Sequence, residues 1–231
     1  MPLSQKEKIA EYYDSYATQQ VKTGVNIRHR TIIKNLIKAG LKKDMHVLEI
    51  GCGIGTLTGL LAKACKSLHA VDISAESIAV AKQRLKHHEN ITFGVTDMQT
   101  NKPVGEFDFI VLPDVLEHIP VEQHPALFAS MASLLKSTGK ICIHIPDPYA
   151  LEYIRKHKAE LLQIIDQSLY SDLLVPNIYA ANLILHKLER YHLQASLPDY
   201  QWIEIIHRPT YSHFDNKPYQ HRVMDELKAR F

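Results

Sequence analysis

A loop with glycine at every second position is the part of this sequence best suited to ligand chemistry. Gly51, Gly53 and Gly55 directly follow the mostly apolar residues 47–50. Because glycine has no side chain, the backbone of such a loop can approach a nucleotide-like ligand closely. Glu49 lies two residues before the first glycine. A carboxylate at this place disfavours a pyrophosphate and favours a cationic ligand.

The spacing of the glycines separates two classes of cofactor. Dinucleotide-binding loops carry the pattern G-x-G-x-x-G, whereas this loop is G-x-G-x-G. Together with Glu49, the spacing favours S-adenosylmethionine (SAM) over NAD. An NAD-dependent oxidoreductase is the alternative enzyme class.

Asp72 ends the second predicted strand, 21 positions after Gly51. In nucleotide-binding α/β units, an acidic residue at this place accepts hydrogen bonds from the ribose hydroxyls. The alternative is an N-cap for the helix that follows, a position that aspartate also favours. We favour ribose binding, because the glycine loop and the spacing agree.

Asp97 follows the third predicted strand, and Met98 comes next. A carboxylate there can accept from the exocyclic amine of an adenine, and the Met98 sulfur can pack on the purine face. The alternative for Asp97 is a turn-forming residue in a surface loop.

Strands and helices that alternate along the chain must hold these residues in place. We predict strands at 47–50, 68–71, 91–95, 107–112 and 140–145, and helices at 27–40, 57–65, 75–86 and 125–135. This order predicts an α/β fold, Rossmann-like and doubly wound, with helices on both faces of a mostly parallel sheet. Ligands then bind at the carboxyl ends of the strands.

The two ends of the chain depart from this alternation. An amphipathic helix is predicted over residues 5–20, and charged helices over 150–169 and 171–193, followed by strands at 200–206 and 218–224. We divide a single domain into an N-terminal helical lid (1–40), a SAM-binding core (41–148), a helical insertion (149–199) and C-terminal strands on the substrate side (200–231). The alternative for the insertion is helical packing without substrate contact.

The composition of the chain disfavours some classes of binding partner and indicates a cellular compartment. The net charge of +2 and the absence of a Lys/Arg-rich stripe disfavour nucleic-acid and membrane partners. The three cysteines form no C-x-x-C pair, and the polar N-terminus does not resemble a signal peptide. We therefore expect a cytoplasmic protein with a small-molecule substrate and a homodimer as one assembly option.

The chain resembles class I SAM-dependent methyltransferases over roughly residues 10–148, and most closely the small-molecule enzymes, such as those of ubiquinone biosynthesis or of sugars and natural products. The resemblance rests on residues 47–55, Asp72, Asp97 and the block 107–119, F-D-F-I-V-L-P-D-V-L-E-H-I. It implies a seven-stranded sheet and SAM as cofactor, with S-adenosylhomocysteine (SAH) as product. The implied cofactor site consists of Tyr13, Arg28, Glu49, Gly51, Cys52, Gly53, Gly55, Asp72, Ile73, Asp97, Met98, Pro113 and Asp114, with Arg30 as the alternative to Arg28.

Two histidines are candidate general bases for an acceptor that loses a proton. His118 lies just past the fourth predicted strand, and His144 lies within the fifth. A histidine near its unperturbed pKa can accept a proton from a hydroxyl. Both are also open to structural roles, as packing residues or as part of the SAM pocket.

A metal ion is not expected. Asp114 and Asp147 lie near the places where some small-molecule O-methyltransferases bind Mg²⁺, but the acid–asparagine pair expected after the fifth strand is replaced by I-P-D-P.

We therefore expect methyl transfer to a small molecule, most favourably to a hydroxyl oxygen. The insertion and the tail at 207–221 would form the acceptor pocket, together with Trp202. The alternatives are N- or C-methylation of a small molecule, or a non-catalytic SAM-binding partner subunit.

Overall fold

One seven-stranded sheet organises the protein, and a computed structural model describes it over residues 24–163 and 165–210. The strands are β1 His46–Ile50, β2 Ser67–Asp72, β3 Ile91–Val95, β4 Phe107–Pro113, β5 Leu135–Pro146, β6 Leu183–Tyr191 and β7 Tyr200–His207. The helices are α1 Ile27–Ala39, α2 Thr58–Leu61, α3 Ala75–Arg84, α4 His124–Leu134, α5 Pro148–His157 and α6 Ser171–Ala180. The predicted helix at 5–20 and strand at 218–224 lie outside the described residues.

The strand order is β3-β2-β1-β4-β5-β7-β6, which confirms the predicted Rossmann-like α/β fold. The strands from β3 to β5 in this order are parallel, and β7 runs antiparallel to both of its neighbours, β5 and β6. From β1 the chain first moves outward to β2 and later returns to the other side at β4. Ligands bind at such a switch point. The glycine loop leaves β1 there, and Asp114 follows β4.

Apolar side chains cover both faces of the sheet. On one face, Ile110 and Ile143 pack with Phe128 of α4. On the other face, Val111 packs with Leu36 of α1 and with Trp202 of β7. Both layers hold the carboxyl ends of β1 and β4 in fixed positions.

Trp202 does not reach an acceptor pocket, so its expected role there is wrong. The side chain is 2% exposed, and its Nε1 donates to Glu204 Oε1 at 3.1 Å. An indole packs best in a core that also satisfies its N–H. The sequence pattern alone does not show which face of β7 is covered.

The predicted helix over 171–193 is wrong in its second half. The helix ends at Ala180, Asn182 adopts φ 58°, and β6 begins at Leu183. The pairing of β6 with β7 shifts between Leu185 and Lys187, so one extra residue bulges out. The bulge places Leu183, Leu185 and Leu188 against one face of the core. Because of the bulge, these leucines are unevenly spaced in the sequence, and this spacing resembles the apolar stripe of a helix.

The predicted helix over 150–169 is half as long as expected. The α-helix ends at His157, one 3₁₀ turn covers Ala159–Leu161, and the described residues from 162 to 170 have no regular structure. Contacts to distant residues replace helical hydrogen bonds in this segment. Gln167 Nε2, for example, donates to the carbonyl of Ile119. In addition, the helix predicted at 57–65 is α-helical only over 58–61, and β5 begins five residues before the predicted 140.

Candidate functional site

A cavity of about 320 Å³ lies at the switch point of the sheet. Twelve of the predicted site residues line it: Arg28, Glu49, Gly51, Cys52, Gly53, Asp72, Ile73, Asp97, Met98, Pro113, Asp114 and His118. The volume falls at the lower end of the range for small-molecule sites. The cavity is thus about the size of one nucleoside-like ligand.

Among the described residues, two predicted ones, Gly55 and His144, do not line the cavity. Tyr13 lies outside the described residues. Gly55 adopts φ +80°, and a Cβ added there would lie 2.7 Å from Leu85 Cδ1, so this glycine permits close packing of α3 behind the loop. His144 is fully buried in β5, and its Nδ1 lies 2.7 Å from Oδ1 of Asp114, which lines the cavity.

The glycine loop is held from two sides. The amides of Gly51 and Cys52 both donate to the Val71 carbonyl, at 2.8 and 3.0 Å. Gly51 adopts φ +77°, and a Cβ there would lie 2.2 Å from Val115 Cγ2. Arg84 Nη1 donates to the carbonyl of Ile54 at 2.7 Å. The loop is therefore fixed in a left-handed shape in which no side chain fits at the first glycine.

Asp72 braces the glycine loop from the end of β2. One of its carboxylate oxygens accepts from the Gly53 amide at 2.7 Å, and the other accepts from the Ser74 amide at 2.9 Å. The cap of α3 is Ser74, whose Oγ accepts from the Ser77 amide at 2.9 Å. The N-cap role considered for Asp72 is therefore taken by Ser74.

Asp97 forms a turn and also lines the cavity. Its Oδ1 accepts from the amides of Gln99 and Thr100 at 2.9 and 2.8 Å. Met98 follows with φ 61° and a buried side chain in the cavity wall. The turn role considered for Asp97 is therefore observed, and the same turn holds the carboxylate at the cavity, where the adenine contact stays a prediction.

Glu49 is a fully buried carboxylate in the cavity wall. Neither of its oxygens has a hydrogen-bond partner among the described residues. Burial raises the pKa of Glu49 to about 8; the nearby Thr58 hydroxyl opposes this rise, and Asp72 adds to it. A buried charge without a partner is costly, so this side chain favours its neutral form until a cation lies beside it.

A chain of polar side chains crosses from α1 to β6. Arg28 Nε lies 3.2 Å from Asp114 Oδ2, and His144 Nδ1 lies 2.7 Å from Asp114 Oδ1. His144 Nε2 then contacts the Tyr191 hydroxyl at 2.6 Å. Burial alone would raise the pKa of Asp114, but His144 and Arg28 together lower it below its usual value. The carboxylate therefore stays ionised and holds Arg28 at the cavity.

His29 lies next to Arg28 and also lines the cavity. Its Nδ1 accepts from the Asn26 amide at 3.2 Å, which leaves Nε2 as the protonated nitrogen of the neutral ring. Burial, followed by the Arg28 charge, lowers the pKa of His29 to about 4. This side chain can therefore donate a hydrogen bond in a neutral state.

His118 lies between two acids at the edge of the cavity. Its Nδ1 contacts the Ile165 carbonyl at 2.6 Å and Asp166 Oδ1 at 3.1 Å, and its Nε2 lies 3.8 Å from Glu117 Oε1. Burial would lower the pKa of His118, but Glu117 and then Asp166 raise it to about 9. The Asp166 contact favours the protonated ring, and a histidine in that state is poorly suited to act as a general base.

The two acids considered for a metal are held by cations. Asp114 contacts Arg28, and Asp147 is bound by Arg190 through Nε at 2.5 Å and Nη2 at 3.0 Å. Within residues 24–163 and 165–210, no group of three or more ligating side chains could hold a metal ion. No helix in that part of the chain is long and apolar enough to cross a bilayer.

Sequence reasoning missed several polar residues of the cavity wall: Asn26, Thr56, Ser77, Gln99, Gln123 and Gln163. Thr56 could have been found, since it follows the glycine loop directly. Gln163 carries no such signal, because only the irregular segment after α5 brings it to the cavity. Its Oε1 is buried without a described hydrogen-bond partner.

In comparison with known proteins, the methyltransferase-domain family model matches residues 47–139. Among curated proteins, the ubiquinone biosynthesis O-methyltransferase of Coxiella burnetii is 36% identical over 101 residues. That match covers 43% of this chain and 42% of the relative. The chain thus matches about two fifths of the length of this curated relative.

Solved structures match the fold of this chain over most of its length, although their sequence identity to it is low. The DhpI–SAH complex gives a TM-score of 0.69 at 20% identity, over 89% of this chain and 98% of that one. Magnesium protoporphyrin IX methyltransferase from Synechocystis with bound SAH gives 0.69 at 19% identity, over 88% and 100%. Together with the domain match, these structures confirm the resemblance to class I SAM-dependent methyltransferases.

Proposed function

We propose that this chain, a class I SAM-dependent methyltransferase by domain and fold, binds SAM in the cavity after β1 and transfers its methyl group to a small molecule. The observation that carries the proposal is the bond between Asp72 and the Gly53 amide. It joins the ribose-binding acid and the glycine loop into one rigid wall. The buried Glu49 adds a negative group to the same cavity.

The cavity residues suit each part of SAM. The Asp72 carboxylate is placed to accept from ribose hydroxyls, and the Asp97–Met98 turn suits an adenine. Arg28 supplies a positive charge for the SAM carboxylate, and the Asp114–His144 pair holds that arginine in place. Bound SAM supplies an electrophilic methyl group, and the protein contributes position, charge and exclusion of water.

We further propose that the acceptor atom is a hydroxyl oxygen of a small molecule, such as a sugar or a natural-product intermediate. Gln163 lines the cavity and supports this, because its Oε1 has no hydrogen-bond partner among the described residues and can accept a hydrogen bond from a hydroxyl. The sequence shared with a ubiquinone O-methyltransferase supports it further. N- or C-methylation of a small molecule is the alternative within the same chemistry.

The test is SAH release from SAM during incubation with matched panels of phenols, sugars, amines and carboxylates. We expect SAH to form in the presence of a hydroxyl-bearing compound. The mass of that compound should rise as a methyl group replaces its hydroxyl hydrogen. Transfer only to amines would overturn the hydroxyl assignment and leave methyl transfer in place.

A non-catalytic SAM-binding partner subunit is the second candidate. The placement of His118 and His144 favours it, because neither is arranged as a free base at the cavity. SAM binding without turnover on any panel, together with turnover once a partner protein is added, would support this candidate.

A further inference from the structure

We propose that Glu49 holds a proton in the free protein and releases it to solvent when the positively charged SAM enters the cavity. The inference rests on the proposed SAM site and adds to it a coupling between cofactor binding and proton release. It also makes Glu49 the residue that selects for a cationic ligand.

The geometry of Glu49 carries the argument. The side chain is 0% exposed, it lines the cavity, and both carboxylate oxygens lack a described hydrogen-bond partner. A charged carboxylate in that state would cost several kcal/mol, on the order found for unpaired buried ions. A proton removes this cost in the free protein. A bound cation removes it in the complex and makes the proton unnecessary.

The other polar groups near Glu49 do not supply that cation. Asp72 at the end of β2 carries a carboxylate and favours the protonated form of Glu49. Cys52 of the glycine loop and Cys65 after α2 are thiols, and burial raises the pKa of both, with a further contribution from Glu49. Thr58 of α2 offers only a neutral hydroxyl. The counter-charge for Glu49 must therefore come with the ligand.

Proton release on SAM binding determines how the affinity for SAM changes with pH. The release of a proton on binding makes SAM affinity rise with pH, by at most about tenfold per unit, until Glu49 is already ionised in the free protein. Burial raises the pKa of Glu49 to about 8, so this rise should cover the neutral range and level off above it.

The experiment is isothermal titration of the full chain with SAM and with SAH at about pH 6.5, in two buffers of different ionisation enthalpy. The difference in observed heat gives the number of protons released per ligand bound. A free α-amino group is only about 5% deprotonated at this pH, so the ligand itself releases almost none. We expect close to one proton per SAM for the wild-type protein.

Two variants make the assignment specific. Glu49→Gln keeps the shape of the side chain and removes the titrating group, so proton release should fall to near zero. Glu122→Gln changes an exposed acid near the same edge and should release the same number of protons as wild type. A circular dichroism spectrum confirms that each variant is folded.

The ligands distinguish the source of the positive charge. If protons are released on binding of both SAM and SAH, the ammonium group is the cation that replaces the proton of Glu49. If protons are released on binding of SAM alone, that cation is the sulfonium. Either result supports the proposal. SAM binding without proton release in the wild-type protein overturns it and leaves the proposed function standing, whereas the absence of SAM binding overturns both.

Discussion

The Asp72 carboxylate accepts a hydrogen bond from the Gly53 amide at 2.7 Å, and this bond joins the end of β2 to the glycine loop after β1. The same side chain accepts from the Ser74 amide and faces the cavity. Asp72 therefore both shapes the loop and presents a carboxylate to the ligand. Its loss should affect binding far more than any single contact suggests.

The first prediction concerns this bond. Asp72→Ala should weaken SAM binding by at least about a hundredfold, because it removes a ligand contact and leaves the Gly53 amide without its partner. Titration calorimetry measures the loss. Ser74→Ala, which removes the α3 cap but not the loop brace, should destabilise the fold by about 1 kcal/mol and keep most of the affinity. Equal losses of affinity in both variants would contradict the role given to Asp72.

The second prediction concerns the first glycine of the loop. Gly51→Ala would place a Cβ 2.2 Å from Val115 Cγ2 at φ +77°. We expect a cost of about 1–3 kcal/mol in the free energy of unfolding, and loss of SAM binding as the loop shifts. Thermal denaturation and calorimetry measure the two effects.

Gly40→Ala is the matched control for Gly51. Gly40 also has a positive φ, of 108°, but a Cβ there meets nothing within 4 Å. This variant should lose stability through backbone strain alone and bind SAM as wild type does. If Gly51→Ala behaved in the same way, the close approach to Val115 would be irrelevant to binding.

The third prediction concerns two histidines at one cavity that differ in protonation state. His118 should be protonated at about pH 7, because Glu117 and Asp166 raise its pKa to about 9. His29 should be neutral, because burial and Arg28 lower its pKa to about 4. Nitrogen chemical shifts of ¹⁵N-labelled histidine rings, assigned with His118→Gln and His29→Gln, measure both states. A neutral His118 at this pH would restore it as a candidate base.

The fourth prediction follows from the buried Glu49 and concerns stability. Its pKa is raised in the folded protein above its value in the unfolded chain, so the folded state holds an extra proton between about pH 4.5 and 8. The contribution of Glu49 to the free energy of unfolding is therefore fully present below that pH range. It is lost as the pH rises through the range. The unfolding temperature of Glu49→Gln, relative to wild type, should rise by several degrees from about pH 5 to 8.5. A constant difference would show that Glu49 does not titrate in this range.

The sequence predicted the part of the fold that depends on local patterns. Alternating strands and helices with a glycine loop after β1 determine the switch point, and hence the places of Asp72 and Asp114. Prediction from the sequence failed where the spacing of apolar residues fitted both a helix and a strand. It also failed where the structure depends on contacts between residues far apart in the chain. The bulge between Leu185 and Lys187 gave β6 a helix-like leucine pattern. Gln167 donates to the carbonyl of Ile119, 48 positions earlier in the chain, and no local pattern indicates such a contact.

The candidate site shows the same division. Acids and glycines at strand ends could be located by spacing alone, and twelve of the predicted residues line the cavity. The state of each side chain could not be predicted, because it depends on neighbours from other elements. His118 is an example: it lies near Asp166, 48 positions later in the chain, at 3.1 Å. His144 likewise lies between Asp114 and Tyr191 of β6, 47 positions later in the chain.

The choice of cofactor by the wild-type protein decides whether the cavity after β1 is a SAM site. Titration calorimetry with SAM, SAH and NAD at about pH 7.5 measures it in one series. We expect SAM and SAH each to bind at one site per chain and NAD to give no binding heat. Binding of NAD without binding of SAM or SAH would contradict the central claim.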